Sequence, residues 1–149
     1  MDFHRFIIEV DGSPETEVAV EWCARYAGPK DEVIVVAALS GTAEFALGFP
    51  PSNLGYWKKD VERGLEHGWT QRLRDHGITY RTRLVEHAPW KALTSVAGSE
   101  FADAIVIGNH RHHWLATTSK MDKVLHHSPI PVIVVPSEST DANPEGPPA

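Results

Sequence analysis

Hydrophobic positions along this chain switch repeatedly between adjacent runs and a three-and-four spacing, the signature of strands alternating with helices. Phe6-Ile7-Ile8-Glu9-Val10 is a short apolar run that ends at Asp11-Gly12. Ser13-Pro14-Glu15 then supplies an N-cap, a first-turn proline and a first-turn acid, so a helix is expected to follow. Ala19, Trp22, Cys23, Tyr26 and Ala27 carry its apolar face, and Gly28-Pro29 stops it. Val33 to Leu39 is continuously apolar and rich in β-branched residues, as expected of a central strand covered on both faces.

Residues 40 to 55 show no regular period and contain Gly41, Gly48, Pro50, Pro51 and Gly55, which predicts a long loop at a crevice edge. Trp57, Val61, Leu65, Trp69 and Leu73 then predict one long helix ending near His76-Gly77. Gly64 and Gly68 inside it each cost up to about 1 kcal/mol relative to alanine, and close packing is the expected compensation. Ile78, Tyr80, Thr82 and Leu84 alternate with polar neighbours, which reads as a strand at a sheet edge. Pro89 opens a further helix, with Trp90, Leu93, Val96, Ala97 and Phe101 on one side. A strand at Ala104 to Ile107, a helix over about 118 to 127 and a strand at Val132 to Val135 complete the series.

Strict β-α alternation predicts an α/β fold: a single doubly wound, five-stranded parallel sheet in the order 3-2-1-4-5, with four helices on its two faces. Residues 1 to 136 form the expected domain. The segment 137 to 149 is rich in proline and acid, lacks cations, and is expected to be disordered. With 149 residues and 42% hydrophobic content, the chain suffices for one packed domain and leaves no room for a second catalytic one. A formal net charge of −6 argues against a nucleic-acid or anionic-membrane surface. No apolar run approaches the ~20 residues that span a bilayer, and the first residues lack a basic-then-apolar signal pattern. A cytoplasmic location is the expectation. The single cysteine, Cys23, agrees with it and lies on an apolar helical face.

In the order 3-2-1-4-5 a crevice opens above the carboxyl ends of strands 1 and 4, which are Asp11 and Gly108. Asp11 has two readings: an acceptor for a ligand hydroxyl or amine, or turn and cap chemistry within Asp11-Gly12-Ser13. The turn after Gly108 has the position of a phosphate-cradling loop. It carries Arg111, His112, His113 and Trp114 where small residues would let the backbone approach a ligand.

Three segments resemble the universal stress protein family: Ile7 to Ser13, Ala102 to His110, and Val124 to Val135. The resemblance runs over residues 5 to 136 and implies a five-stranded, adenine nucleotide alpha hydrolase-like fold, usually dimeric. Some members bind ATP and others do not. ATP-binding members share G-x2-G-x9-G followed by Ser or Thr. Gly108 matches the first glycine, Arg111 stands at the second, and Thr118-Ser119 stand where the closing pair belongs, three residues early. Asp11 matches the aspartate that meets the nucleoside, and Ala38 falls where backbone meets the adenine. The resemblance therefore implies a nucleoside half better kept than the phosphate half. Lost glycines and a shorter loop predict a changed path and no tight triphosphate cradle. Arg111, Thr118, Ser119 and Lys120 are the alternative phosphate ligands, by charge and hydroxyl. ATP or another adenine nucleotide with Mg is the corresponding cofactor.

Other chemistries are weaker. His110, His112 and His113, with His126 and His127, invite a metal, but no cysteine accompanies them and the spacing matches no closed site. No nucleophile elbow, Cys-His setting or P-loop is present, so binding rather than catalysis is expected. Asp60/Glu62 and Glu15/Glu17 read as solvating charge. Of the five tryptophans, four fall at helical spacing and read as core, whereas Trp114 reads as a plug for the crevice. Val132, Ile133, Val134 and Val135 form an apolar edge strand, and antiparallel pairing of two copies would cover it in a homodimer.

Overall fold

The computed structural model describes residues 4–39, 54–109 and 119–136, without the side chains of 54–57 and 119. The sheet has the predicted order, β3-β2-β1-β4-β5. Its strands are β1 (Arg5–Glu9), β2 (Glu32–Ala38), β3 (Thr79–Val85), β4 (Ala104–Asn109) and β5 (Val132–Pro136). All neighbouring pairs are parallel. The helices pack on both faces of the sheet.

The helices are α1 (Pro14–Tyr26), α2 (Leu54–Glu66), α3 (Gln71–Asp75), α4 (Pro89–Ser99) and α5 (Ser119–His127). Alternation along β1 splits the core into two layers. Phe6, Ile8 and Val10 pack with Ala19, Val20 and Cys23 of α1, Val61 and Leu65 of α2, and Leu73 of α3. Ile7 faces the other way, with Leu93 and Val96 of α4 and Met121 and Val124 of α5. The central strands are buried on both sides, as their unbroken apolar runs require. Cys23 is among the buried residues, and desolvation pushes its thiol up to about 12, so it is inert packing.

The single long helix expected over 57 to 76 is instead two helices joined by a 3-10 turn, Gly68–Thr70. The break is stabilised locally. The Thr70 hydroxyl donates to the Leu65 carbonyl at 2.7 Å, and the Arg74 guanidinium donates to the His67 carbonyl and, at 2.6 Å, to Thr70 Oγ1. These bonds satisfy carbonyls that a helix end leaves open. The turn also brings the Trp69 indole onto Gly64, where a Cβ would stand 2.5 Å from the ring. Gly64 thus has the close-packing reason that sequence suggested, whereas Gly68 has open space around it. The same indole covers Gly12, at φ +82, with its Nε1 only 2.9 Å from a built Cβ.

Two further expectations change in detail. Trp22, Trp69 and Trp90 are half-buried flanks of the core rather than its interior. Trp22 packs edge-on to Phe6, and Trp90 stacks with His127 beneath the Lys123 ammonium. Phe101, expected on the apolar side of its helix, lies past the end of α4 at φ 52 and is exposed. The edge position of β3 holds, and β5 forms the opposite edge. Of the segment 40 to 55 expected as a loop, residues 54 and 55 belong to the first turn of α2, and residues 40–53, like Trp114 and the segment 137–149, lie outside the described residues.

Candidate functional site: the crevice between β1 and β4

The site grows from strand register. Glu9 of β1 pairs with Val36 of β2, so Asp11 and Ala38, two residues further on, stand at the same height above the sheet. Phe6 and Ile7 pair with Ala104 and Ile105, which sets the end of β1 beside Ile107 and Gly108. The carboxyl ends of β1, β2 and β4 therefore converge where a doubly wound sheet binds ligands.

Asp11 is engaged in turn chemistry. Its Oδ1 accepts from the Ser13 backbone N–H at 2.7 Å and lies 3.1 Å from the Thr16 hydroxyl. This Asx-type turn organises the start of α1. Ser13 holds the N-cap position expected of it, but its side chain makes no capping bond. The other carboxylate oxygen, Oδ2, takes neither of these bonds.

Gly108 sits in β4 directly beneath α1. A Cβ there would collide with the Glu15 carbonyl oxygen and come within 2.8 Å of Val18 Cβ. Glycine at this position is what lets the helix lie against the sheet.

The strongest electrostatic feature is one that the pattern of motifs did not single out. Glu9 is only 4% exposed, at the end of β1 and on the same face as Ile7. A carboxylate so placed needs a partner, and Lys120 in the first turn of α5 supplies it: Nζ stands 2.7 Å from Oε1. The pairing answers a second problem, because a lysine at a helix N-terminus faces the positive end of the dipole. Burial pushes the Glu9 carboxyl above its ordinary value; Lys120 pulls it back, and the nearby Asp11 charge adds to the rise. The other oxygen, Oε2, is buried without a hydrogen-bond partner among the described residues. Glu9 also lines a cavity of about 10 Å³, together with Glu15, Thr16, Gly108 and Lys120.

Of the residues nominated from sequence, the fold brings Asp11, Ala38, Gly108 and Lys120 to this end of the sheet. Ser119 is the first residue of α5. Arg111, Thr118 and the histidines at 110, 112 and 113 lie outside the described residues. Among the described residues no group of three or more His, Cys, Asp or Glu side chains is arranged to hold a metal ion. Glu15, read from sequence as solvating charge, is half-buried at the cavity because α1 lies so close to Gly108. The signal for Glu9 was present: a charge that directly follows the apolar, doubly covered run Phe6-Ile7-Ile8 and precedes the buried Val10. Val132, Ile133 and Val135 of β5 are half-buried and Val134 is 39% exposed, along an edge that no other strand pairs among the described residues.

Among the described residues no helix is long and apolar enough to cross a membrane. Comparison with solved structures supports the fold. A hypothetical protein whose structure served to assign its biochemical function superposes with a TM-score of 0.80 at 19% identity, over 94% of this chain and 100% of its own. The universal stress protein of Archaeoglobus fulgidus, solved in complex with dAMP, gives 0.64 at 21% identity, over 91% of this chain and 99% of that one. A family member from Arabidopsis thaliana, with AMP bound, gives 0.64 at 12% identity, over 97% and 99%. No curated protein matches the sequence. The pattern that describes the universal stress protein family matches residues 2–136, a span that includes every described residue, and the chain therefore belongs to that family.

Proposed function

We propose that this universal stress protein acts by binding rather than turnover, and that its crevice is not a tight ATP site. The observation that carries the reading is the Glu9–Lys120 pair. Lys120 was the described cation available for phosphate, and its ammonium is 2.7 Å from a buried carboxylate. A polyphosphate entering here meets the Glu9 charge in a medium that screens poorly. The arginine at the second glycine position of the phosphate loop, Arg111, points the same way. The chain functions in the cytoplasm as a homodimer joined through Val132, Ile133, Val134 and Val135, an edge that a second copy covers without further elements.

A second reading has its own support. Asp11 and Ala38 stand at one height, and solved relatives are described with dAMP and AMP bound. On that reading the protein is an adenine-nucleotide sensor with a modified loop, using Asp11, Ala38, Gly108, Arg111, Thr118, Ser119 and Lys120, with Mg accompanying a polyphosphate. Calorimetric titration with ATP plus magnesium decides between the two. The first predicts no measurable heat of binding at micromolar concentrations. Saturable micromolar binding that Asp11→Ala abolishes would establish the second instead.

A further inference from the structure

The buried carboxylate does more than occupy a lysine. We propose that Glu9 sets the charge preference of the crevice: its free Oε2 accepts a hydrogen bond from a hydroxyl of an uncharged, nucleoside-class ligand, and its charge excludes the phosphorylated form. The inference rests on the reading of this crevice as the binding site.

Three observations converge on it. Oε2 is fully buried and has no partner among the described residues, which is a costly state for an oxygen of an ionised group and one that a donor relieves. The cavity that Glu9 lines, about 10 Å³, has the size of one water molecule or one ligand hydroxyl and is far too small for a phosphate. Lys120, the cation nearest to it among the described residues, is held by Oε1.

The charges around Glu9 sharpen the argument. From α5 it faces Lys120, from α1 it faces the cavity wall at Glu15 and Thr16, and from the turn just past its own strand it feels Asp11. Strand β4 and helix α4 contribute Ile107, Gly108 and Leu93, which carry no side-chain charge. Glu9 and Asp11 thus set two carboxylates against the one ammonium of Lys120. A hydroxyl donor is attracted by that field and a phosphate is repelled. Thr16 cannot serve as the missing donor, because its hydroxyl is spent between Asp11 Oδ1 at 3.1 Å and the Ser13 carbonyl at 3.0 Å.

Removing the Glu9 charge reverses the preference. In Glu9→Gln the carboxylate that repels phosphate is gone and the Lys120 ammonium is released. Lys120 is 24% exposed, so its head reaches outward without crossing the core. The amide keeps the shape of the carboxylate, so the fold is retained.

The test is calorimetric titration of the full chain and of Glu9→Gln, at pH 7.5 and low ionic strength, with adenosine, AMP and ATP as probes. The wild type is expected to bind adenosine more tightly than AMP. Glu9→Gln is expected to gain at least about tenfold in AMP affinity relative to adenosine, the order of one charge-assisted hydrogen bond. The double variant Glu9→Gln/Lys120→Gln is expected to lose that gain, with circular dichroism confirming that both variants are folded. A wild type that prefers AMP overturns the proposal, as does a Glu9→Gln protein with an unchanged preference or with no binding of any probe. Tight ATP binding by the wild type instead overturns the functional reading beneath it. Absence of ATP binding together with an unresponsive Glu9→Gln sinks only the present inference.

Discussion

Replacing Lys120 by methionine isolates the energetics of the crevice. The substitution keeps the stem and removes the ammonium 2.7 Å from Glu9 Oε1, leaving a carboxylate that is 3% exposed and now has two unpaired oxygens. Breaking a fully buried pair costs about 3–5 kcal/mol. Lys120 itself is partly exposed, so the pair is partly screened and about 2–3 kcal/mol is the appropriate expectation at pH 8. Protonation sets a ceiling on that loss, because a neutral Glu9 escapes most of it. The sign follows from the direction of the shift. Glu9 is raised above 4.5 in the folded state, so its contribution to stability is fully present below that value and is lost as pH rises through the folded pKa. Lys120→Met removes the interaction that restrains the rise and widens this window upward, with a slope of up to about 1.4 kcal/mol per pH unit. Urea unfolding followed by circular dichroism at pH 5, 6.5 and 8, always as the difference from wild type, cancels every other titrating group. The deficit should be largest at pH 8 and shrink towards pH 5, and adding Glu9→Gln should restore most of it. A deficit independent of pH, or a double variant as weak as Lys120→Met alone, would refute the assignment of a buried ionised Glu9.

Other expectations test separate parts of the fold. Gly64→Ala drives a Cβ into the Trp69 ring and should destabilise by about 1–3 kcal/mol in urea melts, whereas Gly68→Ala meets nothing within 4 Å and should stabilise by about 0.4–1 kcal/mol. Equal effects of the two would contradict the packing described for Trp69. The hydrogen bond from Arg81 is the main cause that lowers the Glu100 carboxyl, with Arg83 adding to it. Stability from this surface network is therefore present above the ordinary carboxylate pKa and lost as pH falls through the depressed one. Glu100→Gln should cost about 0.2–1 kcal/mol at pH 7 and nothing at pH 2.5; an equal cost at both would exclude a charge-based role. Val134→Lys places a charge on the β5 edge and should halve the mass measured by light scattering, while an unchanged dimer mass would move the interface elsewhere.

How much of this was legible in sequence depends on the range of the interaction concerned. The sheet order followed from alternation alone, because Val33 to Leu39 and Ala104 to Ile107 are unmistakable buried strands and every connection is a crossover. The break between α2 and α3 was not legible. It depends on Thr70 capturing the Leu65 carbonyl and on Trp69 docking against Gly64 and Gly12, contacts that override a continuous apolar period. At the site, position was readable and role was not. Gly108 looked like part of a ligand loop, yet its lack of a side chain is explained by α1 resting on it. Asp11 looked equally suited to a turn and to a ligand, and its Oδ1 serves the turn. Glu9 passed as one polar letter in a strand because its partner lies 111 residues away.

The central claim is that this universal stress protein holds its crevice with its own charges and does not retain ATP. Native mass spectrometry of protein purified without added nucleotide addresses it most directly, reading bound ligand and assembly state in one spectrum. The account predicts a dimer at the mass of two bare chains, or of two chains carrying an uncharged ligand. A dimer carrying ATP that survives purification would contradict it.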